Sequence, residues 1–142
     1  MIDNESIKVK AYFNLLKTGT WVEENIKTRL RPMNLTHAQL NILHVLVHND
    51  LKPISASELK DKLVVTSPDL TRLLDRLVKK GWVQRKTCSN NRRKIDICIT
   101  KAGKLAFEKT QAPLKDFMDN MMGNITDSEA RELRKILHKM RE

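Results

Sequence analysis

Two helix start signals lie close together near the middle of the chain. The residues SASE at 55–58 form a capping-box pattern, in which the serine hydroxyl accepts a hydrogen bond from a free amide of the first helical turn. The residues SPD at 67–69 place serine at a cap, proline at the first helical position and aspartate near the positive end of the helix dipole. These signals predict helices over residues 56–63 and 68–80 with a four-residue turn between them. A short helix, a tight turn and a second helix form a helix-turn-helix unit.

The second of these helices has two distinct faces. Its apolar residues follow the spacing of a core-facing stripe and are Leu70, Leu73, Leu74, Leu77 and Val78. The opposite face carries Pro68, Thr71, Arg72, Asp75, Arg76 and Lys79. Arg72 and Arg76 lie one turn apart, and the rigid arginine fork suits guanine edges and phosphates. A charged face alone is also typical of an ordinary solvated helix. The residues that follow the helix must therefore distinguish a DNA-binding face from a solvated one.

A basic hairpin is predicted directly after this helix, over residues 82–100. Its second strand alternates isoleucines with polar residues, which is the pattern of a strand with one buried face, and the residues predicted to be buried are Ile95, Ile97 and Ile99. Between Arg85 and Lys104 there are seven basic residues and one acid, Asp96. A groove-sized helix followed by a basic hairpin is the pattern of a winged helix, whose helix fits the major groove of DNA and whose wing reaches the minor groove.

The rest of the chain is predicted to be helical. Capping boxes at residues 36–39 and 126–129 mark two further starts, and the full set of remaining helices is predicted near 5–30, 37–48, 101–122 and 127–141. Gly81 is predicted to cap helix 68–80, Gly123 to end helix 101–122, and Pro113 to kink or split it. The predicted fold class is mainly α with a small β-hairpin wing, in which a winged helix-turn-helix lobe joins a helical dimerisation region.

Composition narrows the class of partner. The 142 residues suffice for one domain with one core, and they carry a net charge of +10, from 27 Lys and Arg against 17 Asp and Glu. Such an excess favours polyanionic partners, although it also fits a membrane surface or mere solubility. No apolar run approaches the length of a membrane span and the N-terminus does not resemble a signal peptide, so a cytoplasmic protein is expected.

The stretch that runs LTHAQLNILHVL, SASELKDKL, SPDLTRLLDRLVKKGWVQRK and NNRRKIDICITKAG resembles the core of the MarR family of transcriptional regulators, over roughly residues 35–103. The resemblance implies a single MarR-like domain over residues 1–142, with a DNA-binding lobe at about 36–100 and dimerisation helices at about 5–30 and 101–141. It further implies a homodimeric bacterial or archaeal regulator, usually a repressor, that binds a pseudo-palindromic operator in double-stranded DNA and leaves it when a small molecule or oxidant acts.

The predicted DNA-binding residues lie on the outer face of the second helix and at the tip of the wing. They are Ser67, Pro68, Asp69, Thr71, Arg72, Arg76, Asn91, Arg92, Arg93 and Lys94. In the family the wing usually reads Asp-x-Arg, with the carboxylate bracing an arginine that enters the minor groove. This chain has Asn91 at the first position and Arg93 at the second, so the resemblance implies a weaker brace.

Other residues have two interpretations each. Tyr12, Phe13 and Trp21 are candidates for an effector pocket, because family effectors bind between the dimer helices and the DNA-binding lobe; alternatively they pack the dimer interface. Cys88, near basic residues, is a candidate oxidisable thiol or an inert strand residue. If the hairpin turn centres near residues 91–92, Cys88 lies opposite residue 95 or 96 rather than Cys98, so no disulfide is expected between them. His44 and His48 have chelating spacing, but no cluster completes a metal site, and none is predicted.

No catalytic residue or cofactor is predicted, because the sequence has no Gly-rich phosphate loop, nucleophile elbow or metalloprotease motif. The sequence therefore predicts a transcriptional regulator rather than an enzyme. Three kinds of regulator stay open: a repressor that a small molecule releases, an effector-independent or architectural DNA-binding protein, and a redox-responsive regulator that uses Cys88.

Overall fold

The computed structural model describes residues 1–64, 69–88 and 91–142, and at residue 88 and residues 91–93 it describes the backbone alone. It is mainly helical with one small antiparallel sheet, as predicted. The chain forms two compact units, residues 1–110 and 111–142. The elements are α1 (Ile7–Leu30), a short 3-10 helix (Arg31–Met33), α2 (His37–His48), β1 (Ile54–Ser55), α3 (Ala56–Lys62), α4 (Leu70–Lys79), β2 (Val83–Cys88), β3 (Asn91–Ile99), α5 (Lys101–Met122) and α6 (Asp127–Lys139).

The predicted capping sequences begin helices in the structure. Thr36 and Gln39 form a full capping box at α2, and Thr126 and Glu129 form another at α6. At α3 the Ser55 hydroxyl accepts from the Glu58 amide at 3.2 Å, but Glu58 accepts from that hydroxyl instead of reaching the Ser55 amide. Ser55 also belongs to β1, so one residue ends a strand and starts a helix.

The ends of α4 differ in how well the sequence predicted them. The helix begins at Leu70, with Asp69 at the cap and no side-chain cap hydrogen bond, rather than at residue 68. Ser67 and Pro68 lie outside the described residues. At the other end Gly81 has a φ of 77°, and the amides of Gly81 and Trp82 donate to the carbonyls of Val78 and Leu77. These two bonds form a Schellman cap, which confirms the predicted role of Gly81.

Helix α5 extends from Lys101 to Met122 with Pro113 inside it, so Pro113 does not split the helix; the kink that was the other predicted outcome stays a prediction. Proline lacks an amide N–H and so removes one helical hydrogen bond, while the other hydrogen bonds of the helix remain. The helix ends directly before Gly123, as predicted. Near its start, Gly103 lies against the carbonyl of Trp82, where a Cβ atom would overlap the oxygen. This glycine lets α5 pack closely beside the beginning of the wing.

The sheet has the strand order β1-β3-β2, and β1 was not predicted. Two residues of β1 pair with β3 through Ile54 opposite Ile97. Ile97 is 1% exposed, but Ile95 is 52% exposed, so the buried face predicted for β3 does not extend to its outer end.

The register of the hairpin also differs from the prediction. Cys88 lies opposite Asn91, not residue 95 or 96, and an irregularity falls between Thr87 and Cys88. Cys98 lies opposite Gln84 and is a free, half-buried thiol.

Each helix and strand of the winged lobe contributes at least one side chain to the core of the first unit. Its most deeply buried apolar residues include Leu30, Ile42, Leu43, Leu46, Ile54, Leu59, Leu77, Val83 and Ile97. These residues come from the end of α1, from α2, α3 and α4, and from all three strands. The exposed face of α4 is thus backed by a packed core.

Candidate DNA-binding interface

Helix α4 presents the predicted polar face to solvent. Leu74 and Leu77 are buried, and Leu70 and Leu73 are half-buried. Val78, predicted to be in the same stripe, is exposed because it lies at the edge of the stripe in the last turn. The side chains on the opposite face are all exposed; they are Thr71, Arg72, Asp75, Arg76 and Lys79. A face of this kind is free to enter a major groove, which admits one α-helix.

Arg72 is oriented by the residue that begins the helix. Its Nε atom lies 3.3 Å from Oδ2 of Asp69, and its side chain is 70% exposed. Asp69 therefore restricts the rotamers of Arg72 while most of the Arg72 side chain stays exposed. In the described part of the chain, Arg76 and Lys79 take part in no ion pair, so both add uncompensated positive charge to this face.

One residue of this interface was missed by sequence reasoning. Arg85 of β2 reaches back to α4, where its Nη1 atom lies 2.6 Å from Oδ1 of Asp75. Its Nη2 atom donates to the carbonyl oxygen of Thr71 at 3.3 Å. Asp75 was visible as an acid on a basic face, which is a signal that it needs a partner. Which cation supplies the partner depends on the angle between helix and strand, and the sequence does not show that angle.

The wing carries the rest of the predicted site. Lys94 is exposed on β3, as predicted. Asn91, Arg92 and Arg93 are placed on β3 by their backbone, and their side chains lie outside the described residues, as does that of Cys88. For Ser67, Pro68 and these tip residues, the predicted contacts with DNA therefore remain predictions.

The C-terminal end of α4 is tied to the turn after α1 by Lys80. Its ammonium donates to the carbonyl of Asn34 and to Oε1 of Gln39, the latter at 3.2 Å, and it lies 4.7 Å from the centre of the Trp82 ring. Burial, and secondarily the charge of Arg76, lower the pKa of Lys80 below its usual value. Gln39 also accepts from the Thr36 amide, so Lys80 joins the end of α4 to the cap of α2.

A cavity of about 900 Å³ lies beside this tie, between α1, the start of α2 and the end of α4. Cationic groups outnumber acids in its lining, which consists of Glu23, Glu24, Lys27, Arg31, Asn34, Leu35, Thr36, His37, Ala38, Gln39, Arg76, Lys79 and Lys80. Two of these lining residues, Glu23 and His37, pair with 2.7 Å between Oε2 and Nδ1. The net positive lining suits a small anion.

The aromatic residues proposed for an effector pocket lie elsewhere. Tyr12, Phe13 and Trp21 are not part of this lining, and each is about half exposed on α1. Phe13 lines a separate open groove of about 580 Å³ together with Lys10, Asn14 and Lys17. The rings of Tyr12 and Phe13 meet edge to face at 5.2 Å. The structure thus brings Tyr12 and Phe13 together but places Trp21 apart from that groove.

His44 and His48 stack on each other with 4.1 Å between ring centres, and His44 lies 5.9 Å from the ring of Phe107. Burial, followed by the neighbouring His48, lowers the pKa of His44. Over the described residues there is no group of three or more His, Cys, Asp or Glu side chains suited to a metal ion. Both rings of the pair on α2 lie near the ring of Phe107 on α5.

Comparison with known proteins agrees with this geometry. The model of the MarR family matches residues 35–95. The multiple antibiotic resistance protein MarR of Salmonella typhimurium is 32% identical over 113 residues, which cover 78% of this chain and 76% of that protein. The chain belongs to the MarR family. It is therefore a DNA-binding transcriptional regulator, and regulators of the MarR family are transcription factors rather than enzymes.

Solved structures of transcriptional regulators share the fold. A mutant MarR from E. coli in complex with operator DNA has 29% identity and a TM-score of 0.79, with 96% of each chain covered. The organohalide-sensing regulator RdhR-CbdbA1625 in its ligand-free form has 20% identity and a TM-score of 0.84, with 99% of this chain and 85% of that chain covered, and it shows the likeness of fold alone. Among the described residues of the present MarR-family chain, no helix has the length and apolar character needed to cross a membrane.

Proposed function

We propose that the chain is a homodimeric repressor, active in the cytoplasm and without enzymatic activity, that binds a pseudo-palindromic operator. The observation that carries this proposal is the exposed polar face of α4, with Arg72 oriented by Asp69, directly beside the β2–β3 wing. In this proposal residues 1–142 act as a single MarR-like domain, with the DNA-binding lobe at about 36–100 and dimerisation helices at about 5–30 and 101–141.

Each part of the interface has a different proposed role. Arg72 reads a base edge in the major groove, because a guanidinium can bond to guanine with two parallel hydrogen bonds. Arg93 enters the minor groove, where narrow A·T-rich sequences concentrate negative potential. The remaining residues contact phosphates or lie beside them; they are Ser67, Pro68, Asp69, Thr71, Arg76, Asn91, Arg92 and Lys94.

A dimer is supported by apolar side chains that stand exposed on single helices. Examples are Leu16 and Trp21 on α1, Leu133 and Ile136 on α6, and Met140 directly after α6. MarR-family regulators act as dimers. A two-fold axis would set the two copies of α4 about 34 Å apart, which is one turn of B-DNA.

The experiment that tests the DNA-binding site uses an operator selected from random duplex DNA by the wild-type protein. Arg72→Ala should weaken operator binding by about 1–3 kcal/mol per half-site and relax the preference at one base pair. Arg93→Ala should weaken binding most for operators with A·T-rich flanks. Arg134→Ala removes the same charge from α6 and is the matched control, with affinity unchanged. Wild-type affinity in both test variants would show that the interface is placed wrongly.

We further propose that a small anion releases the operator by binding in the 900 Å³ cavity. The support is the cationic lining, which includes Lys27 of α1 and Arg31 of the 3-10 helix after it, and the position of the cavity against Lys80 and the end of α4. One structural relative is described as organohalide-sensing, so ligand control occurs on this fold. An anion that draws Lys80 away from Asn34 and Gln39 would loosen the end of the recognition helix.

The effector proposal is tested with benzoate and with benzamide, which has a similar shape and no charge. Benzoate at millimolar concentration should release the operator from the wild-type protein, and benzamide should not. Arg31→Ala should keep operator affinity but need more benzoate for release, whereas the matched control Arg131→Ala should behave as wild type. Equal release by both compounds, or an unchanged benzoate response in Arg31→Ala, would contradict an anion site in this cavity.

A further inference from the structure

The guanidinium of Arg85 makes two contacts with the recognition helix α4. One is the ion pair to Asp75 at 2.6 Å, and the other is the hydrogen bond to the carbonyl oxygen of Thr71 at 3.3 Å. Thr71 and Asp75 are four residues apart, so both acceptors lie on the same exposed side of α4. A planar fork with several donors can hold two acceptors at once, which a lysine ammonium on a flexible stem does less well.

The other end of Arg85 is fixed in the sheet. Its backbone in β2 lies opposite Ile97 of β3, which is buried in the core of the lobe. Its side chain is 31% exposed, against 58% for Asp75, so the contact lies partly within the angle between helix and strand. Arg85 therefore connects the base of the wing to the middle of the recognition helix.

We propose that Arg85 is a positioning residue that, through Asp75 and the Thr71 carbonyl, holds the wing and the recognition helix at one fixed angle. This inference rests on the proposed function, because the fixed angle matters when α4 and the wing must reach neighbouring grooves together. The pair also neutralises Asp75, an acid that would otherwise repel phosphates from the middle of the exposed face of α4. Operator binding then depends on a residue that itself contacts no base.

An alternative to the positioning role is direct contact between Arg85 and a DNA phosphate. Substitution of Asp75 distinguishes these two roles of Arg85. If Arg85 contacts phosphate, Asp75→Ala removes a repulsive charge and frees the guanidinium, so affinity rises for all DNA sequences. Arg85→Ala would then weaken binding evenly and reduce the salt slope by about one unit for each phosphate that is no longer neutralised. If Arg85 positions the wing, both substitutions weaken operator binding.

The test is a double-mutant cycle on the selected operator and on random duplex DNA, at several salt concentrations. Positioning predicts that Asp75→Ala and Arg85→Ala each lower operator affinity by roughly tenfold and that the double variant is no worse than either. Binding to random DNA should change little. Arg85→Lys keeps the charge but cannot hold both acceptors at once, so it should resemble Arg85→Ala; under direct phosphate contact it would resemble wild type.

A measurement without DNA separates failure of this inference from failure of the proposed function. Hydrogen exchange in the segments of α4 and β2 should be faster by a similar factor in Asp75→Ala and Arg85→Ala than in wild type. The matched control is Lys86→Ala, which removes the neighbouring exposed cation and should leave exchange unchanged. Thermal unfolding of each variant establishes that the fold is kept. Unchanged exchange in both variants, or tighter binding of all DNA by Asp75→Ala, would overturn the positioning role.

Discussion

The winged lobe and the terminal helices differ in how far their apolar side chains are buried. In the lobe, Leu43, Leu59 and Leu77 have no exposed surface. On the terminal helices, Trp21, Leu133 and Ile136 are each 44–50% exposed. The lobe thus completes its core within one chain, whereas α1 and α6 carry apolar surface that a second copy is expected to cover. Stability of the lobe should therefore be a property of the chain, and stability of the terminal helices a property of the dimer.

The largest expected effect is on the free energy of unfolding of the lobe. Leu43→Ala removes a fully buried side chain of α2 and should lower the free energy of unfolding by about 2–5 kcal/mol, because a cavity remains. Leu133→Ala is the matched substitution on α6. Urea unfolding across a range of protein concentrations should show the destabilisation by Leu43→Ala at every concentration and that by Leu133→Ala mainly where dimers form. Equal, concentration-independent destabilisation would remove the distinction between the two regions.

A charge placed on the exposed apolar face of α6 should break the dimer and spare the lobe. Ile136→Glu would bury a carboxylate twice in a two-fold interface, and we expect the dimer dissociation constant to rise by a factor on the order of 100 or more. Sedimentation at micromolar concentration should show twice the chain mass of 16.5 kDa for wild type and one chain mass for the variant. Ser128→Glu adds the same charge to the first turn of α6 and should stay dimeric. A monomeric wild-type protein would contradict the two-fold architecture.

The smallest expected effect is on the pH dependence of stability, through His44 where α2 lies near Phe107 of α5. Because burial and His48 lower the pKa of His44, the unfolded chain takes up a proton near pH 6.5 that the folded chain resists. Stability should therefore fall as the pH drops below about 6.5. His44→Gln should lose less stability than wild type between about pH 7.5 and pH 5.5, as measured by thermal denaturation, whereas His138→Gln on α6 should follow wild type. Identical pH dependence in all three proteins would show that the His44 environment has no energetic consequence.

The features that the sequence predicted best are those that a few neighbouring residues determine. Thr36 with Gln39 and Thr126 with Glu129 cap their helices as expected, and Gly81 ends α4 in a left-handed conformation. In each case the hydrogen bonds involved join residues that are close in the sequence, so the local sequence contains both partners. The two faces of α4 were predictable for the same reason, because helical periodicity alone assigns them.

The features that the sequence did not predict depend on distant residues. Strand β1 has two residues, too few for any alternation, and it exists because Ile54 pairs with Ile97. The pairs of Arg85 with Asp75 and of Lys80 with Gln39 need the angle between elements. The cavity gathers residues from α1, α2 and α4, and its cations are scattered in the sequence among many others.

The central claim is that two copies of α4, held by one dimer, read a two-fold symmetric DNA site. Selection of binding sequences from a random duplex library by the wild-type protein tests it most directly. We predict enrichment of a pseudo-palindrome whose half-sites are centred about 10 base pairs apart, bound by one dimer, with base preferences that Arg72→Ala relaxes symmetrically in both halves. Enrichment of a sequence without two-fold symmetry, or bound by a single chain, would contradict this account.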